Sequence, residues 1–265
     1  MAKVIHYYRT VWISDVHLGF KDCKADYLLQ FLASIRCDKL ILAGDIIDFW
    51  AIKRQPYWPA SHMQVVQQLL EMAKQGTQII YVPGNHDAAI RQLGQPELNL
   101  TEIHHQYCHT SISGETVLVV HGDEFDAMVC YSKLTSFIGD ISYDLLLFLN
   151  RQLYRLRKRF GFRYWSLAGY IKQRIPKAAV AIARYRQAAF DLARRRGVDM
   201  IVCGHIHHPE VVKEQGIVYA NLGDWVENCT ALVEELDGNI KLIRSTEMQQ
   251  QVAVVNDKED SHCAA

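Results

Sequence analysis

The chain has 265 residues, 49% of them apolar, which is enough for one large domain with a substantial core. Basic and acidic residues both number 29, so the total charge gives no reason to expect a polyanionic partner. The seven cysteines form no C-x-x-C pair; this argues against a zinc knuckle or dithiol centre and fits free thiols in a reducing compartment.

The N-terminal stretch "MAKVIHYYRTVWISD" lacks the apolar run and small-residue cleavage site of a signal peptide. No apolar run approaches the roughly 20 residues of a membrane span. The expectation is a cytoplasmic protein that does not cross a membrane. Short runs along the chain read as buried strands: "VWIS" (11–14), "LILA" (40–43), "IIYV" (79–82), "VLVV" (117–120), "MIVC" (200–203) and "IVYA" (217–220). Residues 24–36, 61–75 and 178–196 read as helices between them, so the alternation predicts an α/β architecture. "TALVEEL" and "NIKLIRS", joined by "DGN", predict a terminal hairpin. The expected organisation is one domain over 1–248 with a polar, frayed tail over 249–265.

The alternation breaks between "HGDEFD" (121–126) and "IVCGH" (201–205), where the pattern is helical. Residues 127–196 are therefore read as a helical cap insertion. Residues 151–196 carry 14 Lys and Arg against Asp191 alone, while the rest of the chain has 15 basic and 28 acidic residues. The neutral total hides two oppositely charged parts. In "ISYDLLLFLNRQLYRLRKRF" (141–160), leucines at i, i+3, i+4 spacing alternate with arginines. An amphipathic basic helix of this kind points to an anionic membrane surface, or to a helix docked on the sheet with a solvated basic face.

The residues that follow the strands are the chemically informative ones. After the first run come Asp15 and His17; after the second, Gly44, Asp45 and Asp48; after the third, Gly84, Asn85, His86 and Asp87; after the fourth, His121, Gly122 and Asp123; after the fifth, Gly204, His205 and His207. In an α/β fold these loops converge at one edge. A single Asp after a strand is ordinarily a turn residue or cap, and one H-x-H pair proves little. Five such elements in order point to a mixed carboxylate–imidazole site for two transition-metal ions. If the chain stays extended, His205 and His207 project the same way and can serve different ions or share one face of a cluster. Asp48 and Asp123 read equally well as supports of the site and as turn or cap residues. His6, His62, His104, His105, His109, His208 and His262 lack the setting and read as ordinary residues.

In this order, D-x-H, G-D-x-x-D, G-N-H-D, H-G-D and G-H-x-H resemble the calcineurin-like metallophosphoesterases. The resemblance spans residues 15–207 and implies two packed mixed sheets flanked by helices. It implies one divalent ion held by Asp15, His17, Asp45 and His207, and a second held by Asp45, Asn85, His121 and His205. It also implies that His86 acts as the acid or charge-stabilising histidine, with Asp87 placed to orient it, and that Asn85, His86 and His205 face the substrate phosphate. The implied reaction is attack on phosphorus by water activated between the ions.

The H-G-D-E-F-D stretch, the basic helical insertion and "RRRGVDMIVCGHIHHPE" more narrowly resemble the UDP-2,3-diacylglucosamine hydrolase group. Those enzymes cleave a nucleotide-lipid pyrophosphate in lipid A synthesis and are manganese-dependent and peripheral on the membrane. The resemblance implies manganese as the metal, with iron or zinc as alternatives, a nucleotide-lipid substrate and an anionic membrane partner on the cytoplasmic face. The best-known members carry Arg where this chain has His86, and their H-G-D motif runs on through a cysteine and paired aspartates. A phosphoesterase acting on nucleic acid or a soluble nucleotide is the alternative; the interleaved leucines argue against nucleic acid. No protein partner is expected.

Overall fold

A computed structural model describes residues 5–92, 101–126 and 176–245, together with residues 153, 157, 159 and 160. The elements in chain order are β1 (His6–Ile13), α1 (Ala25–Ser34), β2 (Ile35–Leu42), α2 (Phe49–Arg54), α3 (Ala60–Lys74), β3 (Gln78–Tyr81), β4 (Glu102–Ile103), β5 (Tyr107–Thr110), β6 (Thr116–Val119), α4 (Pro176–Arg196), β7 (Met200–Cys203), β8 (Glu210–Glu214), β9 (Ile217–Asn221), β10 (Thr230–Glu234) and β11 (Ile240–Arg244). One sheet has the order β11-β10-β1-β2-β3-β4 and the other β5-β6-β7-β9-β8. Both are mixed: β1, β2, β3 and β4 run parallel, as do β6, β7 and β9, while β10, β5 and β8 pair antiparallel with β1, β6 and β9 and β11 pairs antiparallel with β10.

The apolar runs are continuous because both faces of each sheet are covered. Successive side chains point to opposite faces of a strand. Trp12, Ile41, Ile80, Val117, Val119, Met200 and Val202 therefore meet between the sheets. Their neighbours Val11, Ile13, Leu40, Leu42, Ile79 and Tyr81 face outward beneath helices α1 and α3. Leu118, Val120, Ile201 and Cys203 face outward beneath α4.

The three expected helices form, as does the terminal hairpin of β10 and β11. The chain leaves α1 earlier than its periodicity suggests, because Ile35 is extended and already pairs with β1. Of the segment read as a cap, residues 176–196 form α4. Its Tyr185, Ala188, Ala189, Phe190 and Ala193 lie on one buried stripe against the second sheet. The boundary drawn at 196 thus takes in a helix that is an outer layer of the sandwich. Most of 127–175 lies outside the described residues, as does the tail 249–265. No helix among the described residues is long and apolar enough to cross a membrane.

Candidate metal centre

The parallel strands of both sheets end on one side, and the loops beyond them stay tied together. The amides of Asp15 and His17 donate to the carbonyls of Gly44 and Asp45, at 3.0 and 2.9 Å. The amide of Gly204 donates to the carbonyl of His121 at 2.9 Å. The Asp15 carboxylate links the two sheets by accepting from the His205 amide at 3.0 Å, and within the first sheet's loops Asp45 accepts from the His86 amide at 2.8 Å.

This packing forces unusual backbone. Seven described non-glycine residues have positive φ, and five of them are Asp15, His17, Asp45, His205 and His207, at 52°, 54°, 54°, 69° and 53°. Such conformations persist only where surrounding structure fixes them, and they gather at functional sites. They also correct one expectation. The chain from His205 to His207 is not extended; two left-handed residues turn it, and that turn sends the two imidazoles to different clusters. Glycine is needed where backbone meets ligand atoms. At Gly44, with φ of 89°, a Cβ would lie 2.1 Å from Nδ1 of His121, and at Gly84 it would lie 2.3 Å from Oδ1 of Asp45.

Among the described residues, three groups bring ligand atoms within 4.8 Å of one another: Asp15, His17 and His207; Asp45, His121 and His205; and His17, Asp45 and His86. In the first, Nε2 of His207 is 3.3 Å from both Nε2 of His17 and Oδ1 of Asp15. In the second, Nε2 of His121 is 3.2 Å from Oδ2 of Asp45 and 3.3 Å from Oδ1 of Asn85. Oδ2 of Asp45 also lies 4.0 Å from Nε2 of His17, so Asp45 stands between the clusters. All seven expected ligands, including Asn85, are thus gathered at one place.

The charges show that the place suits cations. Asp15 and Asp45 are buried, which by itself penalises their charge, yet the neighbouring imidazoles outweigh burial and hold both carboxyls below the ordinary range. His207 does most of this for Asp15 and His121 for Asp45. Burial disfavours charge on His121 too, but Asp45 and Asp15 push its pKa up to about 10. A field that pulls a proton so firmly onto an imidazole also favours metal ions among the same atoms. The donors, imidazole nitrogen with carboxylate and amide oxygen, are those of transition metals.

The outer partners differ from those read in the sequence. Asp87 does not orient His86. It is fully buried, and it accepts hydrogen bonds from the amide of Gly84 at 2.6 Å, the amide of Ile46 at 2.7 Å and the hydroxyl of Tyr81 at 2.5 Å. It therefore braces the loop that carries Asn85 and His86. The residue that holds His86 is Asp48, with Oδ1 2.9 Å from Nδ1. The other oxygen of Asp48 is 3.0 Å from Nδ1 of His17, and Oδ1 also accepts the Ala51 amide at 2.7 Å as the N-cap of α2. Asp48 is thus support and cap at once. These bonds outweigh its burial and hold its carboxyl far below the usual range. Asp123 pairs with Arg91 at 3.3 Å, and Arg91 holds the carbonyl of Pro83 at 2.7 Å.

His86 itself is pulled two ways. Burial disfavours its charged form, but the Asp48 bond and the charges of Asp45 and Asp48 raise its pKa above the ordinary value. Trp50, on α2, packs against it with the rings tilted by 34° and their centroids 4.2 Å apart, and is 57% exposed, so it forms a wall of the site open to solvent. Nothing in the sequence singled out Trp50; its position in the first turn after Asp48 was the available signal.

Comparison with known proteins identifies the family. The calcineurin-like phosphoesterase family profile matches residues 8–209. The chain is 26% identical over 233 residues to a UDP-2,3-diacylglucosamine hydrolase of Aeromonas salmonicida (strain A449), covering 84% of this chain and 89% of that protein. It is 25% identical over 239 residues to the protein of the same name from Neisseria meningitidis serogroup B, covering 86% and 94%. Among solved structures, an archaeal phosphodiesterase aligns with 88% of this chain and 98% of its own at 12% identity and a TM-score of 0.44. The chain belongs to the calcineurin-like phosphoesterase family and is a metal-dependent hydrolase.

Proposed function

We propose that the protein hydrolyses the pyrophosphate bond of UDP-2,3-diacylglucosamine, releasing UMP and 2,3-diacylglucosamine 1-phosphate. Two divalent ions, manganese first, would be held by Asp15, His17, Asp45 and His207 and by Asp45, Asn85, His121 and His205; bound there they supply Lewis-acid stabilisation of phosphoryl charge and a more acidic water. The chain's own groups do the rest. Asp45 stands between the two clusters, 3.2 Å from Nε2 of His121 and 4.0 Å from Nε2 of His17. Asp48 takes Nδ1 of His86 and leaves Nε2 to face a phosphoryl or leaving-group oxygen. Although burial disfavours its charge, the Asp48 bond and the charges of Asp45 and Asp48 favour the protonated form of His86. Trp50 limits the rotation of the His86 ring and shields one of its faces.

The observation that carries the substrate class is the length of the likeness to enzymes named UDP-2,3-diacylglucosamine hydrolase. A match over 84% of this chain and 89% of the relative is too long to rest on the metal-binding loops alone. The test is to compare kcat/KM of the metal-loaded protein on UDP-2,3-diacylglucosamine, a soluble phosphodiester and single-stranded DNA. The acylated nucleotide should be strongly preferred; a preference for the soluble ester would favour the alternative to which His86 points, a general phosphodiesterase.

The basic segment 151–196 supports a second part of the reading, attachment to the cytoplasmic face of an anionic membrane. Each basic side chain near such a surface contributes about 1 kcal/mol, screened by salt. The protein should float with anionic vesicles at low salt and leave them at high salt; equal binding to neutral vesicles would defeat this part.

A further inference from the structure

Three of the four candidate histidine ligands can be compared by what holds the nitrogen opposite the metal. His17 is held at Nδ1 by Asp48 at 3.0 Å, and His121 at Nδ1 by the carbonyl of Ala43 at 2.9 Å. Both therefore present Nε2 to the cluster, as their short Nε2 distances to neighbouring ligands show. His205 is arranged the other way round. Its Nε2 is 2.8 Å from Oδ1 of Asp126, so a proton on Nε2 is donated to that carboxylate and the lone pair is left on Nδ1. The ring is further framed by Tyr185 at a centroid distance of 6.2 Å and by His121 at 5.2 Å.

Asp126 is well placed for such a task. Gly122, left-handed at φ 105°, sends the chain from His121 into a 3-10 turn over Asp123–Phe125, and Phe125 anchors that turn in the core beneath α4. One six-residue stretch thus carries a ligand of the second cluster at its start and a carboxylate for that cluster's other histidine at its end. The Asp126 side chain is 64% exposed, against 6% for Asp48. A largely solvated carboxylate adds little to folding, so its geometry on His205 asks for another explanation.

We propose that Asp126 is a positioning residue for the second ion: it fixes the tautomer and ring orientation of His205 so that Nδ1 is the ligand. The inference rests on the two-ion reading above. Partners of this kind typically contribute 10–100-fold in metal affinity. The test titrates Mn2+ into demetallated wild-type protein, Asp126→Asn, Asp126→Ala and Glu124→Gln, and follows heat and, by electron paramagnetic resonance, the coupling of paired ions.

Wild type should bind two ions. Both Asp126 variants should bind one ion as wild type does and the second roughly 10–100-fold more weakly, losing the coupled-pair signal at limiting metal. Glu124→Gln removes a charge from the same turn and should behave as wild type. The melting temperatures of all demetallated variants should match, which a merely structural role for Asp126 would not allow. Two normal affinities in Asp126→Asn and Asp126→Ala overturn the proposal, as does equal weakening in Glu124→Gln, which would make the effect one of general charge. A wild type that binds no metal would sink the two-ion reading itself.

Discussion

The two halves of the metal centre are built from similar donors but supported differently. The Asp15, His17 and His207 side has an inner brace. Asp48 is buried, accepts from His17, His86 and the first turn of α2, and cannot move without disturbing all three. The Asp45, His121 and His205 side leans partly on Asp126, which is exposed. The difference teaches that one cluster of candidate ligands is set by the core of the fold, while the other is open to influence from the surface. Asp45 joins them.

The largest effect should come from removing the join. Asp45→Ala takes away the carboxylate that stands between the two clusters and the acceptor for the His86 amide. We expect turnover to fall about 10³-fold or more, since Lewis-acid stabilisation amounts to several kcal/mol. Metal analysis of the purified variant should show fewer ions per chain; full occupancy would place the join elsewhere.

His86→Ala should come next. It leaves the expected ligands in place, so both ions should stay while kcat drops roughly 10²-fold, the lower end of what an acid–base group contributes. The loss should shrink for esters with acidic leaving groups, which need less protonation. If metal is lost as well, the His17, Asp45 and His86 grouping is itself a ligand set.

Asp48→Asn sharpens the comparison because it strikes the braced half. Affinity at the His17 side should weaken about 10–100-fold while the His205 side is spared, the mirror image of the Asp126 variants. Its pH profile carries a second signature. Asp48 raises the pKa of His86, so the protonated form lasts to higher pH than for a free imidazole, and activity is lost as pH rises through that value. Removing Asp48 lowers the pKa, and the alkaline limb of kcat should move to lower pH. An unmoved limb would separate Asp48 from His86 in function.

Trp50→Ala should have the smallest effect, no more than about tenfold on kcat/KM, because a ring stack contributes about 0.5–1.5 kcal/mol. The metals should be untouched. A loss above 10²-fold would mean that Trp50 grips the substrate as well as His86.

The sequence displayed the candidate ligands because each follows an apolar strand run, and the parallel order of those strands carries them to one edge. It showed the long elements for the same reason: burial on both faces leaves uninterrupted runs such as "MIVC". It did not show β4, β5 and β8, which are short or half-exposed strands toward the sheet edges, or α2, a helix of six residues. The supports were misread where sequence neighbourhood stood in for space. Asp87 adjoins His86 in the chain but turns away to brace Gly84, Ile46 and Tyr81, while Asp48, 38 positions distant, reaches the ring. The left-handed backbone at His205 and His207 left no mark in residue type either, since only the surrounding loops impose it.

The central claim is that one shared carboxylate organises two ion positions. The direct test is to measure metal content and turnover together on wild-type protein during stepwise reloading. The account predicts that activity appears with the second ion and saturates at two per chain. Full activity with no metal, or with a single ion, would contradict it.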